Sequence, residues 1–196
     1  MMSLMKHLII YAHPNPKSFN HALMETICTV YRAHGHSVTV RDLYAGKFQS
    51  VLMPSDFEAM AKGRIPEDIL REQELIRASD CLTFVYPIWW AGQPAILKGY
   101  IDRVMLKGFA YDFTDKGVVG LLKGKKVAII NTTGSPESLY HENGMTKSMN
   151  QTSEQGIFGF CGMDVVAHRY FGAVPSVSQE QRQVMLAEVS KLVEKF

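Results

Sequence analysis

The chain has 196 residues, 46% hydrophobic and 20% charged, with a formal net charge of +2. That length suits one domain, residues 1–196, with a full core, and the composition excludes disorder. The charge is too small to make nucleic acid the main partner, and the longest apolar runs, 8–12 and 81–86, are too short for membrane insertion. Residues 1–6 carry no signal-peptide pattern, so a cytoplasmic location is expected. Cys28, Cys81 and Cys161 are scattered and outside any C-x-x-C arrangement. They read as small buried hydrophobes in a reducing compartment, and no metal site is expected.

Leu8, Ile9, Ile10, Tyr11 and Ala12 form a continuous apolar run, the pattern of a strand covered on both faces. It stops at His13-Pro14-Asn15-Pro16, after which Ser18 caps a helix with Phe19, Leu23, Ile27, Val30 and Tyr31 on one face. Strand, loop and helix N-terminus in that order make an anion site. Residues 36–43 alternate as an edge-like strand would, and 44–65 read as an irregular connection. A second helix is expected over 66–78, a strand over 81–86 and a third helix over 94–105. Residues 107–122 suggest a hairpin excursion, 127–131 a fourth strand, 146–160 a helix and 165–171 a fifth strand. Ser178 and Gln181 form a capping box before a last amphipathic helix. Strands alternating with helices imply an α/β, doubly wound parallel sheet.

No G-x-G-x-x-G follows the first strand, which removes a Rossmann dinucleotide site, and G-L-L-K-G-K-K from Gly120 reads as a solvated turn. The third strand runs into Pro87, Ile88, Trp89, Trp90, Ala91 and Gly92. Pro87 holds Tyr86 extended, Gly92 permits close backbone approach, and two adjacent Trp cannot share one strand face. The loop therefore sets backbone amides beside an aromatic wall, suited to a planar heterocycle at the carboxyl edge of the sheet. Asp102 and Arg103 on the following helix read as a structural or solvated ion pair.

The run P-x-x-W-x-G-x-P-A-x-L-K-G-x-x-D-R-V from Pro87, followed by G-F-A-Y, resembles the NAD(P)H:quinone oxidoreductase family of flavodoxin-like flavoproteins, as do Tyr11-Ala-His-Pro and Ser18-Phe-Asn. That family includes modulator-of-drug-activity-type reductases and potassium-efflux ancillary proteins. The resemblance implies a flavodoxin-like five-stranded parallel sheet of order 2-1-3-4-5, which brings the His13, Trp89 and Thr132 loops to one edge. It further implies that His13, Ser18, Phe19 and Asn20 hold the flavin phosphates. Pro87, Ile88, Trp89, Trp90 and Ala91 would meet the isoalloxazine, with the Trp90 side chain beside the ring. Thr132, Thr133, Gly134 and Ser135 would donate to its N1 and O2 region, Ser135 standing where the family has a second Gly.

Tyr140 matches the family's active-site Tyr. The downstream His has no clean counterpart, Met145 lying near its place; His141 could substitute, against the plainer reading of an exposed loop histidine. Phe109, Ala110, Tyr111 and Phe113 resemble the stretch under the flavin and at the dimer contact, and buried core would have the same pattern. The implied function is two-electron reduction of quinones by NAD(P)H, in ping-pong fashion, on FAD (FMN as the alternative) in a homodimer. An ancillary redox-sensing subunit of a membrane transport system and a one-electron carrier are the rival roles.

Overall fold

The computed structural model describes residues 4–196, so Met1, Met2 and Ser3, part of the stretch read for a signal peptide, lie outside the described residues. The apolar runs become strands β1 (Lys6–Tyr11), β3 (Cys81–Pro87) and β6 (Lys126–Thr132), each buried along nearly its whole length. β2 (Ser37–Asp42) and β7 (Asp164–Phe171) flank them, and all neighbours pair in parallel in the order β2-β1-β3-β6-β7. β4 (Tyr111–Thr114) and β5 (Gly117–Gly120) form the expected hairpin outside this sheet, so the five sheet strands follow the 2-1-3-4-5 order.

One core lies between the sheet and helices α1 (Phe19–Ala33) and α7 (Gln179–Val193). The other is closed by α3 (Glu67–Ala78), α4 (Ala95–Val104) and the hairpin, together with a π-helical segment, Gln151–Gly159. Successive residues along β6 feed the two cores alternately, as a strand with period 2 requires: Val127 and Ile129 one, Ala128 and Ile130 the other.

Three elements depart from the sequence reading. Residues 44–65, expected to be irregular, contain α2 (Pro54–Ala61), whose buried residue is Asp56. The loop after β6 folds into a short α5 (Glu137–Glu142). The helix expected over 146–160 is α6 (Met145–Asn150) continued as the π segment. Asp102 and Arg103 do not pair with each other: Asp102 meets Lys98 at 2.6 Å, while Arg103 turns inward to Asp56 at 2.9 Å and Asp68 at 2.7 Å. Gly120 is not in a solvated turn, since a Cβ there would collide with the backbone of Cys161 and Gly162.

The amino end of the sheet carries an acid-sensitive group. His7 is 2% exposed, stacks on Tyr31 at 3.7 Å, and among the described residues neither ring nitrogen has a hydrogen-bond partner. Burial first, and the neighbouring His36 second, push its imidazole down to about 4. The unfolded chain therefore binds a proton near pH 6.5 that the folded chain refuses until about pH 4. Stability from this group is full above the unfolded value and declines as pH falls through that window, by on the order of 1 kcal/mol per unit. His7→Phe keeps the stacked ring and removes the titration, so urea midpoints at pH 7 and pH 4.5 should lie closer together than in the parent. An unchanged gap would place the acid sensitivity elsewhere.

Candidate active site

Three βα loops meet at the carboxyl edge of the sheet. After β1, Ser18 takes extended backbone and its Oγ accepts the His21 amide at 3.1 Å, capping α1 and leaving the Phe19 and Asn20 amides of its first turn unpartnered along the helix. The loop before it is wound by its own side chains: Lys17 N–H donates to Asn15 Oδ1, and Asn15 N–H donates to His13 Nδ1 at 3.0 Å. Nδ1 of His13 is thus an acceptor and Nε2 is the ring's donor. Burial keeps the His13 imidazole below its ordinary range, hence neutral near pH 7.

After β3 the chain makes a two-residue turn in which Trp89 and Gly92 exchange both backbone hydrogen bonds at 3.0 Å. Its central residues, Trp90 (φ 51°) and Ala91 (φ 58°), are both left-handed, the geometry of a type I′ turn usually given to Asn-Gly. The sequence reading put the conformational freedom at Gly92; the structure puts the unusual backbone at Trp90 and Ala91, where each costs about 1–3 kcal/mol. Such strain at a ligand-facing loop points to a working role for its shape. Trp90 projects fully into solvent, whereas Trp89 leans toward His13, with ring centres 5.9 Å apart.

After β6, Thr133 gives its amide to Phe171 O at 2.9 Å and its Oγ1 to Ser135 O at 2.8 Å, while Ala173 N–H also donates to Ser135 O. Ser135 therefore fits this loop without left-handed backbone, although the resemblance has Gly at that place. The Thr133 amide is spoken for, so among the described residues the loop's open donors are the amides of Gly134 and Ser135. A Cβ added at Gly134 would meet nothing, which leaves room for a ligand against its backbone.

Side chains and amides stitch the three loops together. Ile88 N–H donates to Thr132 O at 2.8 Å, and Asn20 Nδ2, from α1, donates to Thr132 Oγ1 at 2.8 Å. They enclose a cavity of about 600 Å³ lined by His13, Ser18, Phe19, Asn20, Pro87, Ile88, Trp89, Trp90, Thr132, Thr133, Gly134, Ser135 and Tyr140. Of the candidate binding residues only Ala91 is absent from the lining, and it forms the tip of the Trp turn. Asn20 is 3% exposed, and among the described residues its buried Oδ1 has no partner. Unpaired loop amides, an open helix N-terminus and an orphaned carbonyl fit a planar heterocycle carrying N–H donors, carbonyls and a phosphate, which is the description of a flavin nucleotide.

Sequence reasoning left Asn15, Val174, Pro175 and Arg182 out of this lining, which also includes Lys17. Arg182 arrives from the first turn of α7, held by a 2.6 Å bond to Val174 O and lying over the Phe19 ring. The Ser178 cap could have flagged it, since a capped helix following the fifth strand starts at the same sheet edge. His141 does not reach the main cavity. With Tyr140 it borders an adjoining cavity of about 310 Å³, for which Thr133 and Tyr140 form the shared wall. Among the described residues no cluster of His, Cys, Asp or Glu could hold a metal, and no helix is long and apolar enough to cross a membrane.

Residues 5–193 match the family described as flavodoxin-like fold. An uncharacterized NAD(P)H oxidoreductase of Haemophilus influenzae is 41% identical over 183 residues, 93% of this chain and 91% of its own. Among solved structures, the NAD(P)H:quinone oxidoreductase from Methanothermobacter marburgensis superposes with a TM-score of 0.87 at 27% identity, covering 98% of both chains. General stress protein 14 of Treponema denticola, solved in complex with FMN, is 28% identical with a TM-score of 0.65, covering 97% of this chain and 94% of its own.

Proposed function

The chain belongs to the flavodoxin-like fold family, and on that premise we propose that it is a cytoplasmic, flavin-dependent NAD(P)H oxidoreductase that reduces quinones or related electrophiles. The observation that carries this reading is the convergence of three amide-bearing loops on one cavity with Asn20 in its lining. Its relatives named as NAD(P)H and quinone oxidoreductases support the reaction class. A bound flavin would supply hydride chemistry between NAD(P)H and the acceptor.

The chain's part is to hold and orient. The capped start of α1 offers its Phe19 and Asn20 amides and its dipole to a phosphate. The unpaired amides of Trp90 and Ala91, and of Gly134 and Ser135, present fixed donors to heterocycle edges from opposite loops. Tyr140, on the wall between the two cavities, has its hydroxyl free of protein partners among the described residues and is the side chain placed to donate a proton.

The cavity runs past Ser18 to Lys17, Val174, Pro175 and Arg182. Two cations beyond the helix N-terminus suit a second phosphate, and on that ground the dinucleotide FAD is the form we propose. The relative solved with FMN argues for the mononucleotide. Acid extraction and chromatography of the released flavin decide between them.

We also propose a homodimer. Phe109 and Ala110 are ordinary core, so the family's contact stretch is reduced here to Tyr111 and Phe113. Phe113 and Val118 of the hairpin and Phe160 after the π segment leave aromatic and apolar surface exposed beside it.

The test is anaerobic mixing of the flavin-loaded protein with NADH and with NADPH, followed by a panel of acceptors. Rapid bleaching and recolouring by quinones is the expected result. A protein that stays colourless after incubation with either flavin nucleotide would overturn the reading.

A further inference from the structure

Behind the Thr132 loop lies a buried polar group that the reaction above does not use. His168 on β7 has a side chain 4% exposed, with Nδ1 2.9 Å from Glu154 Oε1 and Nε2 2.8 Å from Asn131 Oδ1. Asn131, wholly buried on β6, places its Nδ2 3.2 Å from the carbonyl of Tyr86 at the end of β3. Glu154 comes from the π segment, a helix type that recurs at functional sites.

Hydrogen-bond accounting fixes where the protons are. The Tyr86 carbonyl can only accept, so the Asn131 atom facing it is the amide nitrogen. That turns the Asn131 oxygen to His168 Nε2, which must then carry a hydrogen. With the single proton of a neutral imidazole used at Nε2, Nδ1 would face the Glu154 carboxylate as one acceptor against another. A contact of 2.9 Å requires a proton in it.

Burial, the largest influence, pulls the His168 imidazole below its ordinary range and the Glu154 carboxylate pushes it back up, so the proton is placed by the 2.9 Å contact and not by the electrostatic balance. The other titratable neighbours are Tyr170, stacked on the ring at 4.5 Å with its hydroxyl given to Asn150 Oδ1, and Tyr86 on β3, which contribute no charge near neutral pH. Arg169, next along β7, is bound to Glu137 and Glu188 and does not pair with Glu154.

We propose that the Glu154–His168 contact holds one proton at neutral pH and that His168 is thereby a positioning residue for the flavin site. It locks the Asn131 amide, and Asn131 together with the Ile88–Thr132 bond laces the ends of β3 and β6 from which the Trp and Thr loops spring. The positioning role rests on the flavin reading above; the held proton does not.

The test has two arms. Ring-nitrogen NMR of flavin-free protein at pH 7 should find His168 Nε2 protonated, with a further, downfield-shifted proton in the contact to Glu154. Glu154→Gln, whose side-chain amide can donate to Nδ1, should keep the Nε2 proton and lose the shared one. A bare Nε2, or an Nε2–H ring opposite an ionised Glu154 with nothing between them, overturns the held proton.

In the second arm, flavin affinity is titrated from neutral to alkaline pH. The parent should weaken by about tenfold as the shared proton leaves, whereas Glu154→Gln should stay flat. The same pH dependence in both proteins overturns the positioning role. If neither protein binds flavin, the cofactor reading fails while the NMR arm still decides the proton.

Discussion

Tyr140→Phe is expected to slow bleaching of the bound flavin by NAD(P)H about 100-fold, within the range for loss of a positioned proton donor, while flavin retention stays at the parent level. The split follows from where Tyr140 sits. The end of the cavity proposed to take the phosphate is lined by Ser18, Phe19, Asn20, Lys17 and Arg182, none of which lies on α5, so losing the Tyr140 hydroxyl leaves those residues in place. The ring of Tyr140, which Phe preserves, remains the wall between the main cavity and the adjoining one. His141 gives the control: it borders only the adjoining cavity, and His141→Asn should change the rate little. A tyrosine variant as fast as the parent, or a histidine variant as slow as the tyrosine one, would reverse the two assignments in stopped-flow measurements.

The features legible in the sequence were those written in apolar pattern and turn chemistry. β1, β3 and β6 are doubly covered strands and announce themselves as unbroken hydrophobic runs; Ser18 and Ser178 announce caps, both of which form. What stayed hidden was written in charge or in backbone strain. α2 has no apolar stripe to find, because the residue it buries is Asp56, and its periodicity makes sense only once Arg103 is known to be opposite. The left-handed pair Trp90-Ala91 violates the residue preferences of its own turn type, so propensity pointed to Gly92 instead. His168 and Asn131 look like one-off polar residues in strands; only the parallel register of β6 and β7, with Ile129 opposite His168, brings them within reach of each other. Arg182 is legible only as a helix residue until the sheet edge is assembled. The site's frame was thus readable and its polar wiring was not, since wiring depends on pairs far apart in the chain.

The largest expected loss of stability is at Arg103→Ala, about 3–5 kcal/mol, the usual cost of stripping one partner from a buried ion pair. The Arg103 guanidinium is enclosed and uses every edge: Nε and Nη2 donate to Asp56 at 3.0 and 2.9 Å, and Nη1 donates to Asp68 at 2.7 Å and to Gln49 O at 2.8 Å. It therefore joins α4 to α2, to α3 and to the loop before α2. Asp68 is half exposed and can return to water, but Asp56 is 7% exposed and would be left as an unpaired buried carboxylate.

Arg103's hydrogen bond is the main reason the Asp56 carboxyl lies below the usual carboxylate range. A depressed folded value means that this stabilisation is present above the unfolded value of about 3.9 and is lost as pH falls through the lower, folded one. Urea unfolding should accordingly show a wide gap between parent and variant at pH 7 that narrows in acid. The double replacement Asp56→Leu with Arg103→Met removes both charges and should recover much of the loss, because what costs most is the stranded charge rather than the missing bond. A double variant no more stable than Arg103→Ala would mean that the guanidinium acts by packing against Phe48, 5.8 Å below it, and not by neutralising Asp56.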